Sequence, residues 1–180
     1  MKKCIAMMLA LALIIGVMPM AYAIDGCVDS SDDSNWGSES EYAEEVAWQW
    51  VPEEVSECRD EFGTIMVVDL EAQHVWCVVD DEIIADADCV SGDAYDSPTP
   101  TGLYSVWGTN SDFYMRGTYY SAYAVFFNGG IAIHDADSWR DEYGGDIYMS
   151  NGSHGCVNVP CWFAKIVHEN ACIGTPVYVF

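Results

Sequence analysis

The run Ser153-His154-Gly155-Cys156-Val157-Asn158 is the densest cluster of polar and reactive side chains in the sequence. His134 stands upstream, at the end of the apolar segment Gly130-Ile131-Ala132-Ile133. A thiol and an imidazole can together perform nucleophilic acyl chemistry. A free thiol is only a few per cent thiolate at neutral pH, and the thiolate is the attacking species. A neighbouring imidazole takes the proton, leaves an ion pair, and later returns the proton to a departing amine. The tetrahedral oxyanion needs fixed donors, which backbone N–H groups of a tight turn at Gly155-Cys156 can offer. Gly155 lets the backbone approach a substrate with no Cβ in the way.

Each of these residues also has a plainer reading. His134 can be a hydrogen-bonded core histidine, Cys156 a disulfide partner, and His154 a turn residue. Asn158 lies two residues before Pro160 and can help cap the helix expected there. His74 and His168 fit solvated strand and helix faces. His134, His154, Cys156 and His168 are zinc-ligand types, but their spacings match no usual zinc arrangement. Asp135 and Asp137 open like a calcium loop, which Trp139 and Arg140 then break. Neither a metal nor a cofactor is expected.

The elements that must carry these groups read as mostly β. Thr64 to Leu70, His74 to Val79 and Ile83 to Val90 are strand-like runs parted by turn residues such as Asp80 and Asp81. Leu103 to Trp107, Tyr119 to Phe127, Ile131 to His134 and Thr175 to Phe180 continue the pattern. A helix is predicted from Pro160 to Asn170, with Trp162, Phe163, Ile166 and Val167 as its apolar stripe and Gly174 just past its end. Glu41 to Glu61 reads as a helical preface that Pro52 interrupts, tied down through Cys58. Ser97-Pro98-Thr99-Pro100-Thr101-Gly102 reads first as a turn. The domain predicted is mainly β, residues 62–180, with one embedded helix.

Lys2 and Lys3, the apolar run Ile5 to Val17 and Ala21-Tyr22-Ala23 form a signal-peptide pattern over residues 1–23. The run falls short of the roughly 20 residues a spanning helix needs, so no membrane-spanning helix is expected after cleavage. Residues 24–61 comprise an acidic leader and the helical preface. The net charge is −23, and −25 without the two signal-peptide lysines. Arg59, Arg116, Arg140 and Lys165 are then the remaining fixed cations, a balance that excludes nucleic acid as a partner. Seven cysteines follow residue 23: Cys27, Cys58, Cys77, Cys89, Cys156, Cys161 and Cys172. In an oxidising compartment an odd count fits one reactive thiol and three disulfides, with the pairing open.

The chain resembles the YkuD-type L,D-transpeptidase catalytic domain. His134, a spacer and Ser153-His154-Gly155-Cys156-Val157-Asn158 match that family's signature. Ser97-Pro98-Thr99-Pro100-Thr101-Gly102-Leu103-Tyr104 looks like its Thr-Pro-x-Gly segment, and the resemblance covers roughly residues 62–180. It implies a YkuD-like β-sandwich or barrel, with Cys156 as nucleophile and His134 as base. The Asp135 carbonyl would orient the imidazole, Gly155 and Cys156 would offer oxyanion donors, and Ser153, His154 and Asn158 would shape the site. Eighteen residues separate His134 from Ser153, more than the usual spacer, so a loop from Trp139 to Tyr148 is expected to overhang the site. Asp135 stands where a small residue is common and would add negative charge beside the imidazolium. The implied partners are peptidoglycan stem peptides, a donor tetrapeptide and an acceptor amine, used outside the cytoplasm by a monomer to form 3→3 cross-links. An L,D-carboxypeptidase and a non-catalytic wall-binding module are the alternatives. A papain-like peptidase is disfavoured because its Cys precedes its His.

Overall fold

Five consecutive buried residues, Ile65–Asp69, form the central strand β1. The computed structural model describes residues 51–180, so the predicted signal peptide, the acidic leader and the Glu41–Trp50 part of the preface lie outside the described residues. The remaining elements are α1 (Glu53–Phe62), β2 (His74–Val79), β3 (Glu82–Asp88), β4 (Gly102–Ser105), β5 (Gly108–Met115), β6 (Tyr119–Asn128), β7 (Ile131–Asp135), α2 (Tyr148–Asn151), β8 (Val157–Val159), α3 (Cys161–Asn170) and β9 (Pro176–Val179). They build two sheets, ordered β3-β2-β1-β9-β4 and β5-β6-β7-β8. The fold is mainly β, as predicted.

An apolar run such as Ile65–Val68 has two buried faces and needs a layer on each side. Met66 and Val68 enter the core between the sheets, joined by Val75, Val125, Ile133 and Val177. Ile65 and Val67 face the opposite way, where Val55 and Cys58 of α1 cover them with Trp76 and Val78. Helix α3 closes the main core through Phe163, Ala164 and Val167. Trp162 and Ile166, expected in the buried stripe, are only partly buried at its margin. The N-cap position of α1 is Pro52. Proline's fixed φ and missing N–H suit a helix start, and Pro52 opens this helix.

Two strands escaped the sequence reading. β5 is largely exposed and polar from Gly108 to Asp112, without the apolar alternation of a half-buried strand. It survives by pairing with β6 from Gly108↔Phe126 to Met115↔Tyr119. β8 has three residues, all buried, and runs parallel to β7.

The predicted set of three disulfides does not form, because five of the six cysteines among the described residues are unbridged. Cys58, Cys77, Cys89 and Cys172 are free thiols, as is Cys156, while Cys161 is disulfide-bonded. Cys77 and Cys89 lie fully buried in the main core, where cysteine serves as a small apolar residue. Burial pushes the Cys77 thiol up to about 12, far from the thiolate that disulfide exchange requires. Cys58 does not tie the preface down by a bridge; it packs under α1.

Candidate active site

The parallel β7–β8 ladder places Ile133 opposite Val157, His134 opposite Asn158 and Asp135 opposite Val159. His134 and Asn158, far apart in the sequence, therefore stand side by side on adjacent strands. Cys156 immediately precedes β8, and its turn is held from a second direction. Ser153 N–H donates to Ser91 O at 2.9 Å, and Val90 and Asn158 exchange backbone hydrogen bonds at 2.8 and 2.9 Å.

Thr99 is the buttress of this turn. Its Oγ1 accepts from Gly92 N–H at 2.8 Å and donates to Gly155 O at 2.9 Å, with the residue 4 % exposed. A Cβ on Gly92 would lie 2.2 Å from Ser97 O and 2.9 Å from Gly155 Cα, so only glycine allows the segments to approach this closely. Gly155 itself has φ +105°, a backbone region that disfavours other residues. The turn falls just ahead of the Ser-Pro-Thr-Pro block, at residues 94–96, and the threonine of the block braces the cysteine loop.

A chain of hydrogen bonds fixes the imidazole. Arg140 Nε donates to Asn158 Oδ1 at 2.7 Å, Asn158 Nδ2 lies 3.0 Å from His134 Nε2, and His134 Nδ1 lies 2.7 Å from Asp135 O. Arg140 has only donors, so Asn158 must offer its oxygen to Arg140 and its NH2 to the imidazole. Nε2 is then an acceptor and Nδ1–H donates to the Asp135 carbonyl, the tautomer a general base needs. Burial holds His134 down to about 4, with the Asp135 carbonyl working against the shift and the Arg140 charge adding to it. The ring is neutral over most of the pH range.

Cys156 is 9 % exposed, and its Sγ points at Gly130 O, 3.7 Å away. Burial raises its pKa, while the Ala132 backbone and the Arg116 charge pull it down. The two shifts, thiol up and imidazole down, both favour the uncharged pair over an ion pair formed in advance. Ser153 Oγ donates to Cys156 O and accepts from Gly155 N–H at 3.1 Å. The Gly155 donor is thus spent within the turn, whereas Cys156 N–H makes no hydrogen bond with any described residue.

The remaining candidates fall around one cavity of about 640 Å³ whose walls include His134, Ser153, His154, Cys156 and Asn158. His154 is exposed at its rim. The Asp135 carboxylate turns away from the imidazole and accepts from Ser121 Oγ at 2.8 Å and Tyr123 N–H at 2.7 Å. Asp137, not Asn158, caps α3, its Oδ2 accepting from Cys161 N–H at 2.8 Å. Trp139 and Arg140 from the loop after β7 also line the cavity, the Trp139 ring lying tilted 5.9 Å from the His134 ring and 5.2 Å from Tyr119. Sequence reasoning passed over Arg116 and Arg140 as ligand or positioning groups. Their scarcity in so acidic a chain was the available signal.

A sandwich of two sheets that sets a histidine-ended strand beside a Ser-His-Gly-Cys turn defines an L,D-transpeptidase fold. Residues 63–179 match the model of the L,D-transpeptidase catalytic domain, YkuD, and the chain belongs to that family. The catalytic domain of the Enterococcus faecium L,D-transpeptidase, solved by NMR, is 38% identical, with a TM-score of 0.59 over 66% of this chain and 98% of that one. A crystal structure of a mutant of the E. faecium L,D-transpeptidase gives the same identity and TM-score over 66% of this chain and 50% of that one. The chain thus spans about half the length of that longer relative. An L,D-transpeptidase from Mycobacterium smegmatis, 23% identical with a TM-score of 0.56 over 66% of this chain and 58% of that one, shares the fold. Comparison with curated protein sequences finds no match.

Proposed function

We propose that this protein is an exported peptidoglycan L,D-transpeptidase that forms 3→3 cross-links through a thioester on Cys156. The observation that carries this reading is the convergence of Cys156 and a neutral, correctly tautomerised His134 on one cavity, within a chain of this family. The donor is a tetrapeptide stem whose third-residue carbonyl meets the sulfur. Because the resting thiol is protonated, attack and proton transfer go together. Sγ bonds to the carbonyl carbon as its proton passes to His134 Nε2, which requires the Asn158 amide to let go of that nitrogen. Cys156 N–H donates to the developing oxyanion, an interaction whose loss typically slows such enzymes about 10²–10³-fold. The C–N bond to D-Ala then breaks, and the imidazolium gives its proton to the leaving amine. An acceptor amine attacks the thioester, loses a proton to Nε2, and the proton returns to sulfur as the new amide forms.

Incubation with a disaccharide-tetrapeptide tests this directly. Mass spectrometry should show a dimer that has lost one D-Ala, and Cys156→Ala should abolish it. Release of D-Ala without dimer would replace this reading with an L,D-carboxypeptidase. Cross-linking retained in the Cys156→Ala protein would defeat cysteine catalysis. The E. faecium catalytic domain has been solved acylated by ertapenem; a single ertapenem adduct mapping to Cys156 is the parallel expectation here.

A further inference from the structure

The β5–β6 hairpin turns at Arg116-Gly117, with φ +50° and +71° and a Thr118 N–H to Met115 O bond of 3.0 Å. Two successive positive φ values make this a tight hairpin turn in which Asn, Asp or Gly is the favoured first residue. An arginine there is held in left-handed backbone that its bulk disfavours. The sequence offers 29 acidic residues against 6 basic ones, yet Arg116 forms no ion pair or hydrogen bond with any described residue. It lines the same cavity as Cys156 and His134. Arg140, the second cation on that cavity, spends its bonds on Asn158 Oδ1 and Asn151 O and has no carboxylate partner among the described residues. Half of the four fixed cations that follow residue 23 thus line the walls around the nucleophile, unneutralised.

We infer that Arg116 is a specificity-determining residue that binds the free terminal carboxylate of the donor peptide. This rests on the donor reading above and deepens it. In a tetrapeptide that carboxylate lies one residue past the bond to be broken, and Arg116 lines the same cavity as the Cys156 sulfur that attacks that bond. Guanidinium and carboxylate match in a two-pronged hydrogen bond, stronger than a neutral one. An acidic chain would ordinarily repel such a ligand, so the two uncompensated arginines create a local exception. They admit an anion end-on at the nucleophile.

The test compares kcat/KM for the tetrapeptide donor, its C-terminal amide, and a donor amidated only at an internal carboxylate, in wild type, Arg116→Gln and Arg116→Lys. Wild type should prefer the free terminus over its amide by about 10-fold or more. Arg116→Gln should bring that ratio near one by losing activity on the carboxylate donor alone, and Arg116→Lys should restore part of it. The ratio is taken within each protein, so changes in folded fraction cancel. A ratio that Arg116→Gln leaves unchanged overturns the clamp while the transpeptidase reading stands. A preference lost only on internal amidation overturns the terminal assignment. Failure of wild type to turn over any of the donors overturns the function beneath the clamp, and the clamp with it.

Discussion

His134 carries one proton on Nδ1, one lone pair on Nε2, and a neighbour for each, and its behaviour with pH follows from that. The folded pKa lies near 4 rather than the ordinary 6.5, so the ring stays neutral as pH falls through 6. The acid limb of kcat/KM should therefore lie near pH 4 in a stopped assay; a limb at the ordinary imidazole value would refute the buried, neutral state. The same shift has a stability sign. The unfolded chain binds this proton first as pH drops below about 6.5, so His134 removes stability between there and about 4. Asn158 holds the ring from the other side. Asn158→Ala leaves Arg140 Nε and His134 Nε2 without partners, a loss of about 1.5–3 kcal/mol for a bond involving a charged group. It should lower kcat about 10-fold or more with little change in KM, as steady-state kinetics would show. Cys156 and His134 were legible because their types and order recur as a motif. The Asn158–Arg140 link was not, since it joins side chains that only the β7–β8 ladder brings together. The parity of the cysteines misled, because counting presumes that each thiol can meet another, and Cys77 and Cys89 are enclosed in the core.

Among the elements, the turn from Gly92 to Thr99 has one job visible in its bonds. Thr99→Val keeps the shape but leaves Gly92 N–H and Gly155 O unpaired, each costing about 1–3 kcal/mol. Urea unfolding should show that loss, with Thr99→Ser close to wild type. The hairpin makes the opposite prediction. Arg116→Asn installs a residue suited to left-handed backbone and should stabilise the protein by about 0.5–1 kcal/mol, read as a raised Tm. If Arg116 carries the role inferred for it, the same variant loses discrimination between donors, so stability and specificity part company at one position. The strands of the core were readable from β-branched runs such as Ile65–Val68. β5 was hidden because its outer face meets water and its pairing depends on β6, and β8 because three residues carry no period.

For the molecule as a whole, charge is the dominant long-range term. A net charge of −23 repels itself in the compact state, and added salt screens that repulsion over a Debye length of about 10 Å at 0.1 M. Raising NaCl from about 0.01 to 0.5 M should therefore increase Tm in scanning calorimetry; a fall would show that attractive pairs outweigh the repulsion. Few attractive pairs are visible, the ion pairs among the described residues being Arg59–Asp60 and those of His74 with Asp86 and Asp88. The β7–β8 ladder has a further consequence. Both ends of the crossover from Ala136 to Cys156 are pinned by strand pairing that the loop itself does not supply. Doubling the length of a flexible loop costs only about 0.6 kcal/mol in closure entropy. The middle of that crossover, from Asp141 to Ser150, is accordingly a place where descent can rewrite the roof over the site, while Arg140, the Ser153–Cys156 turn and the floor that aligns imidazole and amide are inherited intact.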